Sequence, residues 1–181
     1  MGLGLLPVSS LVLRFFWGDG LGANPVEEIT HVTGESGLRL LILSLAVTPL
    51  RRFLGWSWLA PERRTFGLFA FFYATLHFTT YLALDLGFEF SLLAEDILER
   101  PYITVGFAAL MAMLPLALTS TQSAIQRLGR RWIMLHRLSY AAALLAALHF
   151  FWLVKADLVP PAIHAGVIAL LLASRALPAR R

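Results

Sequence analysis

The chain has 181 residues, of which 58% are hydrophobic and only 14% charged, and its mean hydropathy is +0.71, more apolar surface than a soluble domain hides, so it reads as a polytopic membrane protein. It contains no cysteine, which excludes disulfides, iron–sulfur clusters, thiolate ligation of haem and covalent c-type haem attachment. The net charge of +4 is explained by membrane orientation rather than by nucleic acid.

Six apolar segments follow in chain order, near residues 3–17, 34–53, 66–86, 102–119, 131–154 and 158–174. They predict an all-α membrane protein, a six-helix transmembrane bundle forming one domain over residues 1–181. The opening stretch MGLGLLPVSSLVLRFFWG has no positive n-region and no Ala-x-Ala-like cleavage site, so it reads as a first membrane segment rather than a signal peptide. It is also the weakest segment, with Pro7 and Arg14 inside a span shorter than the roughly 20 residues a crossing needs. Thr33 is placed to cap the second helix, with Glu35 in its first turn. Pro101 suits the first turn of the fourth. Pro160 and Pro161 break the chain between the fifth and sixth. No internal repeat, low-complexity stretch or second domain is visible.

Charge orients the bundle. With the N-terminus inside, Arg51, Arg52, Arg63, Arg64, Arg127, Arg130, Arg131, Arg137, Arg175, Arg180 and Arg181 fall on the inner side. Only Arg14, Arg39, Arg100 and Lys155 fall outside, together with every acid except Glu62. This positive-inside bias predicts cytoplasmic N- and C-termini and contact with anionic lipid.

Three histidines lie within the apolar segments, where imidazole is costly unless something holds it. Axial ligation of haem iron is the holder that best fits them. His77, in LFAFFYATLHFTTY, lies about 16 Å from the inner end of the third helix at 1.5 Å per residue. A lone membrane histidine would as readily bond a neighbouring helix. The fifth segment, RRWIMLHRLSYAAALLAALHFFWL, carries His136 near its inner end and His149 about 20 Å further out. Helices three and five run in the same direction, so His77 and His149 can meet in the outer half of the bundle. Ala74, Ala142, Ala143, Ala146 and Ala147 leave room there for a porphyrin. Residues thirteen apart point about 220° apart around an ideal helix, so His136 need not share that cavity. Flanked by Arg131 and Arg137, it reads either as an interfacial histidine or as ligand to a second haem, or partner to a flavin or quinone. His31 and His164 have no such setting. GDGLGANP follows no strand, so it is not a dinucleotide fingerprint, and no hydrolase constellation appears. The residues themselves therefore point to an electron relay rather than a catalytic subunit.

These residues resemble the ferric-reductase-like transmembrane family, whose six-helix domains hold two stacked haems between histidine pairs on helices three and five. The resemblance implies that His77 and His149 are the outer haem ligands and that His136 matches the inner helix-five ligand. Where the family tends to carry the inner helix-three histidine, this chain has Arg63, in RRTFGLFAFFYATLH. A full second haem is thereby put in question, and Arg63 is left to a cofactor phosphate, a propionate or, most simply, a lipid headgroup.

Within that family the chain is similar, over nearly its whole length, to the haem-binding membrane subunits of bacterial periplasmic methionine-sulfoxide reductase systems. The stretches GLGANPVEEITHVTG (20–34), TPLRR (48–52), ATLHFTTY (74–81), RPYITVG (100–106) and TSTQSAIQRLGRRWIMLHRLSY (119–140) carry this as an ordered set. It implies an inner-membrane protein binding haem b and FMN. Its donor would be the quinone pool or a cytosolic flavin reductase, and its acceptor a periplasmic molybdopterin-containing catalytic subunit that repairs oxidised proteins. That partner is expected on the outer loops around 18–36 and 87–101. The resemblance also implies a longer first helix, as a late start codon would explain. Two other readings stay open, a stand-alone cytochrome b-type ferric or metalloreductase and a non-redox membrane assembly protein.

Overall fold

The computed structural model describes residues 2–17 and 20–177; Asp19, Arg180 and Arg181 lie outside the described residues. Every regular element among the described residues is helical. A 3₁₀ turn, Gly2–Leu5, leads into α1 (Leu6–Trp17), which at 12 residues is about 18 Å long. It is too short to cross a hydrocarbon core of about 30 Å alone.

α2 (Pro25–Leu54) begins nine residues before the predicted start. Thr33 is therefore not its cap. Asn24 is, accepting from the Glu27 N–H at 3.3 Å, with Pro25 in the first turn and Glu27 and Glu28 set against the helix dipole. Thr33 is instead buried mid-helix, its hydroxyl donating to the Ile29 carbonyl at 2.7 Å. Arg51 and Arg52 occupy the last turn, and Gly55 ends it at φ +71°, a left-handed cap that suits glycine.

α3 (Glu62–Thr80) continues through a π turn at Tyr81–Asp85. α4 (Phe90–Glu99) is a short helix in what reads as loop from sequence, and α5 (Pro101–Leu118) opens on Pro101 as predicted. α6 (Gln122–Leu128) and α7 (Arg130–Leu135) follow. The predicted fifth helix is broken by a turn at His136 and Arg137 before α8 (Leu138–Leu153). α9 (Val159–Ala173) starts over the two prolines.

Three helical stretches are long and apolar enough to cross a membrane: Ser57–Asp85, Pro101–Leu118 and Arg130–Leu153. α2 is longer, with 30 residues, but Arg39 and Arg51 bound its apolar run. α2 pairs antiparallel with α3, and α5 with α8; α3 touches α5, and α9 lies against α8 and α2. The centre is made of Leu38, Leu41, Leu45, Ala70, Met113, Ala142, Ala143, Ala147 and Ile168. Its small residues let helix backbones approach, the packing mode available where lipid removes the hydrophobic drive between helices. Leucines and phenylalanines such as Leu43, Phe72, Leu144, Phe151 and Leu170 point outward.

At one end lie Arg51, Arg52, Arg63, Arg127, Arg130, Arg131 and Arg175; at the other are the acids of α4 and of the start of α2. At the acidic end, the Tyr81 hydroxyl donates to Asp96, which also pairs with Arg100 Nε at 3.0 Å. α4 is thereby tied back to the end of α3.

α1 is tied to α2 by the Arg14–Glu28 ion pair and to α3 by one buried side chain. Tyr73 is fully buried; its hydroxyl donates to the Gly4 carbonyl at 2.8 Å and accepts from the Val8 N–H at 3.3 Å. Tyr73→Phe is expected to lose both bonds, costing about 1–2 kcal/mol. Hydrogen exchange of α1 amides checks this, and unchanged protection would show that α1 docks by its apolar contacts and the Arg14–Glu28 pair without the tyrosine hydroxyl.

Candidate cofactor site

Of the three membrane histidines, the fold brings two together. His77 lies near the end of α3 and His149 near the end of α8, with ring centroids 6.2 Å apart and planes at 76°. Each Nδ1 reaches across to the neighbouring helix. His77 Nδ1 bonds the Thr30 carbonyl on α2 at 2.9 Å, and His149 Nδ1 bonds the Tyr102 carbonyl on α5 at 2.7 Å. A carbonyl oxygen only accepts, so each Nδ1 carries a proton, and in the neutral ring Nε2 keeps a free lone pair. Backbone atoms alone thus fix the orientation of both rings, the kind of support a nitrogen ligand receives. Beside it, the Thr30 hydroxyl is buried without a hydrogen-bond partner among the described residues.

His136 and His164 differ in kind. Their Nδ1 atoms bond carbonyls of their own chain one turn back, Trp132 at 3.1 Å and Pro160 at 2.8 Å. His136 also stacks on Trp132, with centroids 3.8 Å apart. It sits some thirteen residues, about 20 Å, from His149 along the helix axis. His164 packs edge-on against Phe150, and His31 is exposed.

A second cluster occupies the arginine-rich end. Arg63 is half-buried there, within electrostatic reach of Arg175, Tyr140, Arg51 and His136. Its guanidinium makes no ion pair or hydrogen bond among the described residues, whereas its carbonyl accepts from Ser44 Oγ at 2.9 Å. Arg175 is engaged, donating to Tyr140 Oη and to the Leu45 carbonyl, each at 2.9 Å. The four residues singled out from sequence thus divide, His77 and His149 at the acidic end, Arg63 and His136 at the basic end. Sequence reasoning missed Thr30, Gly34, Tyr102 and Gly106, which surround the imidazole pair. Two of their contacts are backbone carbonyls, which leave no trace in residue type.

A carbonyl-tethered pair of imidazoles inside an apolar helical bundle is the architecture of a membrane redox component, and the comparison with known proteins agrees. The family model described as "Ferric reductase like transmembrane component" matches residues 33–147, and the chain belongs to that family. The match takes in His77 and His136 and stops two residues short of His149. Within the family the chain falls among the proteins called "Protein-methionine-sulfoxide reductase heme-binding subunit MsrQ". It is 51% identical to that of Xanthomonas oryzae pv. oryzae (strain MAFF 311018), over 98% of this chain and 85% of the relative. It is 52% identical to that of Rhodospirillum rubrum at the same coverage. With that of Xanthomonas axonopodis pv. citri it shares 51% identity over 94% of this chain and 81% of the relative.

Proposed function

We propose that this chain is the haem b-carrying, electron-transferring membrane subunit of a methionine-sulfoxide reductase system, with His77 and His149 as axial ligands of one haem. The observation that carries the reading is the imidazole pair, 6.2 Å between centroids, with each Nδ1 held by a backbone carbonyl. With metal–nitrogen bonds of about 2.0–2.1 Å and about 1 Å from nitrogen to ring centre, imidazoles on opposite sides of one ion sit about 6 Å apart. No group of three or more His, Cys, Asp or Glu side chains is placed to share a metal among the described residues. Two protein nitrogens alone under-fill a bare ion, whereas a porphyrin brings four of its own and leaves two axial positions. The residues therefore fit the group, and the relatives' name, heme-binding subunit, supports it.

Haem so ligated supplies one-electron exchange with no open position for substrate. The Thr30 and Tyr102 carbonyls hold the ligand tautomers, and the unpartnered Thr30 hydroxyl offers a donor to a cofactor carboxylate. At the basic end, Arg63 is free to meet an anion, a flavin phosphate, a propionate or a lipid headgroup. His136 beside it would serve FMN, quinone or a second haem. Electrons would enter there, from the quinone pool or a cytosolic flavin reductase, and leave at the acidic end. The acceptor would be a periplasmic molybdopterin-containing subunit seated on the loops around 18–36 and 87–101. We read the chain as a multi-pass inner-membrane protein of six segments, and the charge asymmetry supports placing its basic end and both termini in the cytoplasm.

The test is a reduced-minus-oxidised spectrum of the detergent-purified protein, with haem and flavin quantified on the same sample. One b-type haem per chain is expected, and a folded but colourless protein would end the reading. The family description also admits a stand-alone ferric reductase; reduced protein that passes electrons to ferric chelates but to no sulfoxide reductase subunit would favour that.

A further inference from the structure

Two glycines stand against the two imidazoles. A Cβ built on Gly34 would fall 2.9 Å from His77 Nδ1, and one on Gly106 would fall 2.7 Å from His149 Nδ1. Both distances are shorter than real Cβ contacts, so a side chain at either position would displace the ring or part the helices. Gly4 presses as closely on Phe69, at 2.8 Å, and Gly37 and Gly67 have their nearest atoms at 3.3 and 3.4 Å, whereas Gly166 in α9 has nothing within 4 Å; among the described residues Gly34 and Gly106 are the two that press on a histidine. Each glycine lies one helical turn after the carbonyl that accepts from the same imidazole, Thr30 before Gly34 and Tyr102 before Gly106. The separation from carbonyl to histidine is 47 residues in both hairpins. The α2–α3 and α5–α8 hairpins thus carry one module twice, carbonyl, glycine and imidazole, although the sequence shows no repeat.

The geometry points to Gly34 and Gly106 as a matched pair of positioning residues for the iron ligands, each seating a helix backbone on one imidazole so that its Nδ1–H donates to a carbonyl. This rests on the haem reading. A carbonyl bond on the far nitrogen fixes the ring's tautomer and orientation and raises its basicity, and a more basic ligand favours oxidised iron. The two modules are alike, so disturbing either shifts the iron in the same direction. A packing role alone predicts no such electronic signature. Helix propensity also runs the other way, since alanine is the better helix former.

Gly34→Ala and Gly106→Ala are compared with the parent and with Gly166→Ala in the full-length, haem-loaded protein in detergent. Expected are a raised midpoint potential in both site variants, an altered low-spin ferric EPR signal and haem held about 10–100-fold less tightly. Gly166→Ala should match the parent. Retained haem with parental potential and EPR in both site variants overturns the inference. Unaltered haem in His77→Ala and His149→Ala overturns the haem reading instead, so the two failures are distinct. Should the glycine variants not fold, nitrogen-15 histidine NMR of the reduced parent decides. Two exchange-protected Nδ1–H protons support the inference, and Nδ1 protons exchanging as fast as that of exposed His31 overturn it.

Discussion

His77→Ala and His149→Ala are each expected to abolish the b-type absorption bands of the purified protein while its helical content stays the same. The two rings face each other from different helices, and each contributes one unprotonated nitrogen. On the haem reading, removing one would leave iron with a single protein ligand, and no group of three or more His, Cys, Asp or Glu is placed to hold a metal in its stead among the described residues. Loss of an outer-shell partner alone costs about 10–100-fold in metal affinity, so loss of a ligand itself should exceed about 100-fold. Absorption spectra with haem quantification read this directly. His164→Ala, whose ring bonds only its own helix, should keep the full signal. His136→Ala separates the haem counts: unchanged bands mean one haem, and a partial loss means that a second sits at the basic end. Full haem retention in both His77→Ala and His149→Ala would mean that the pair merely joins helices.

Arg175→Ala is expected to destabilise the bundle by about 2–4 kcal/mol, the sum of a charged hydrogen bond and a cation–π contact. The reason lies in α2. Pro49 has no N–H, so the Leu45 carbonyl one turn earlier has no partner within its own helix. Leu45 is 1% exposed, too deep for solvent to satisfy it. Arg175, arriving from just beyond α9, donates Nη2 to that carbonyl at 2.9 Å and lies 4.6 Å from the Tyr140 ring centroid. A proline break inside a membrane helix is tolerated where another element satisfies the freed carbonyl. Arg175→Lys should recover only part of the loss, because an ammonium cannot bridge both acceptors as the planar fork does. Pro49→Ala restores the helix's own donor, so the cost of Arg175→Ala should shrink in that background. Denaturation in detergent across this double-mutant cycle measures the coupling. Strict additivity would show that the Leu45 contact contributes nothing to stability.

Where sequence and structure part company, range along the chain is the reason. Composition, apolar runs and the asymmetry of arginines are local sums, and they were enough to mark a helical membrane protein and to single out His77, His136 and His149, while Arg63 stood out only through the family resemblance. Helix ends were legible where the cap chemistry is strong, as at Pro101. They were misplaced where two signals competed, as at Thr33 against Asn24 and Pro25. Expecting one helix over 131–154 overlooked the turn at His136 and Arg137, which hydropathy does not register.

The sequence by itself determined the solvent of this protein, its orientation signal and which nitrogens were available to a metal. Helix direction and the family resemblance already paired His77 with His149; only the tertiary structure decided how the two rings meet and what holds them. His77 and His149 face each other because two antiparallel hairpins share a register, and the Nδ1–H of each donates to a carbonyl 47 residues away, which fixes its ring. A glycine one turn from that carbonyl lets the helix come close enough. Contacts of that separation depend on how helices pack, and no pattern of residue types along one helix encodes them.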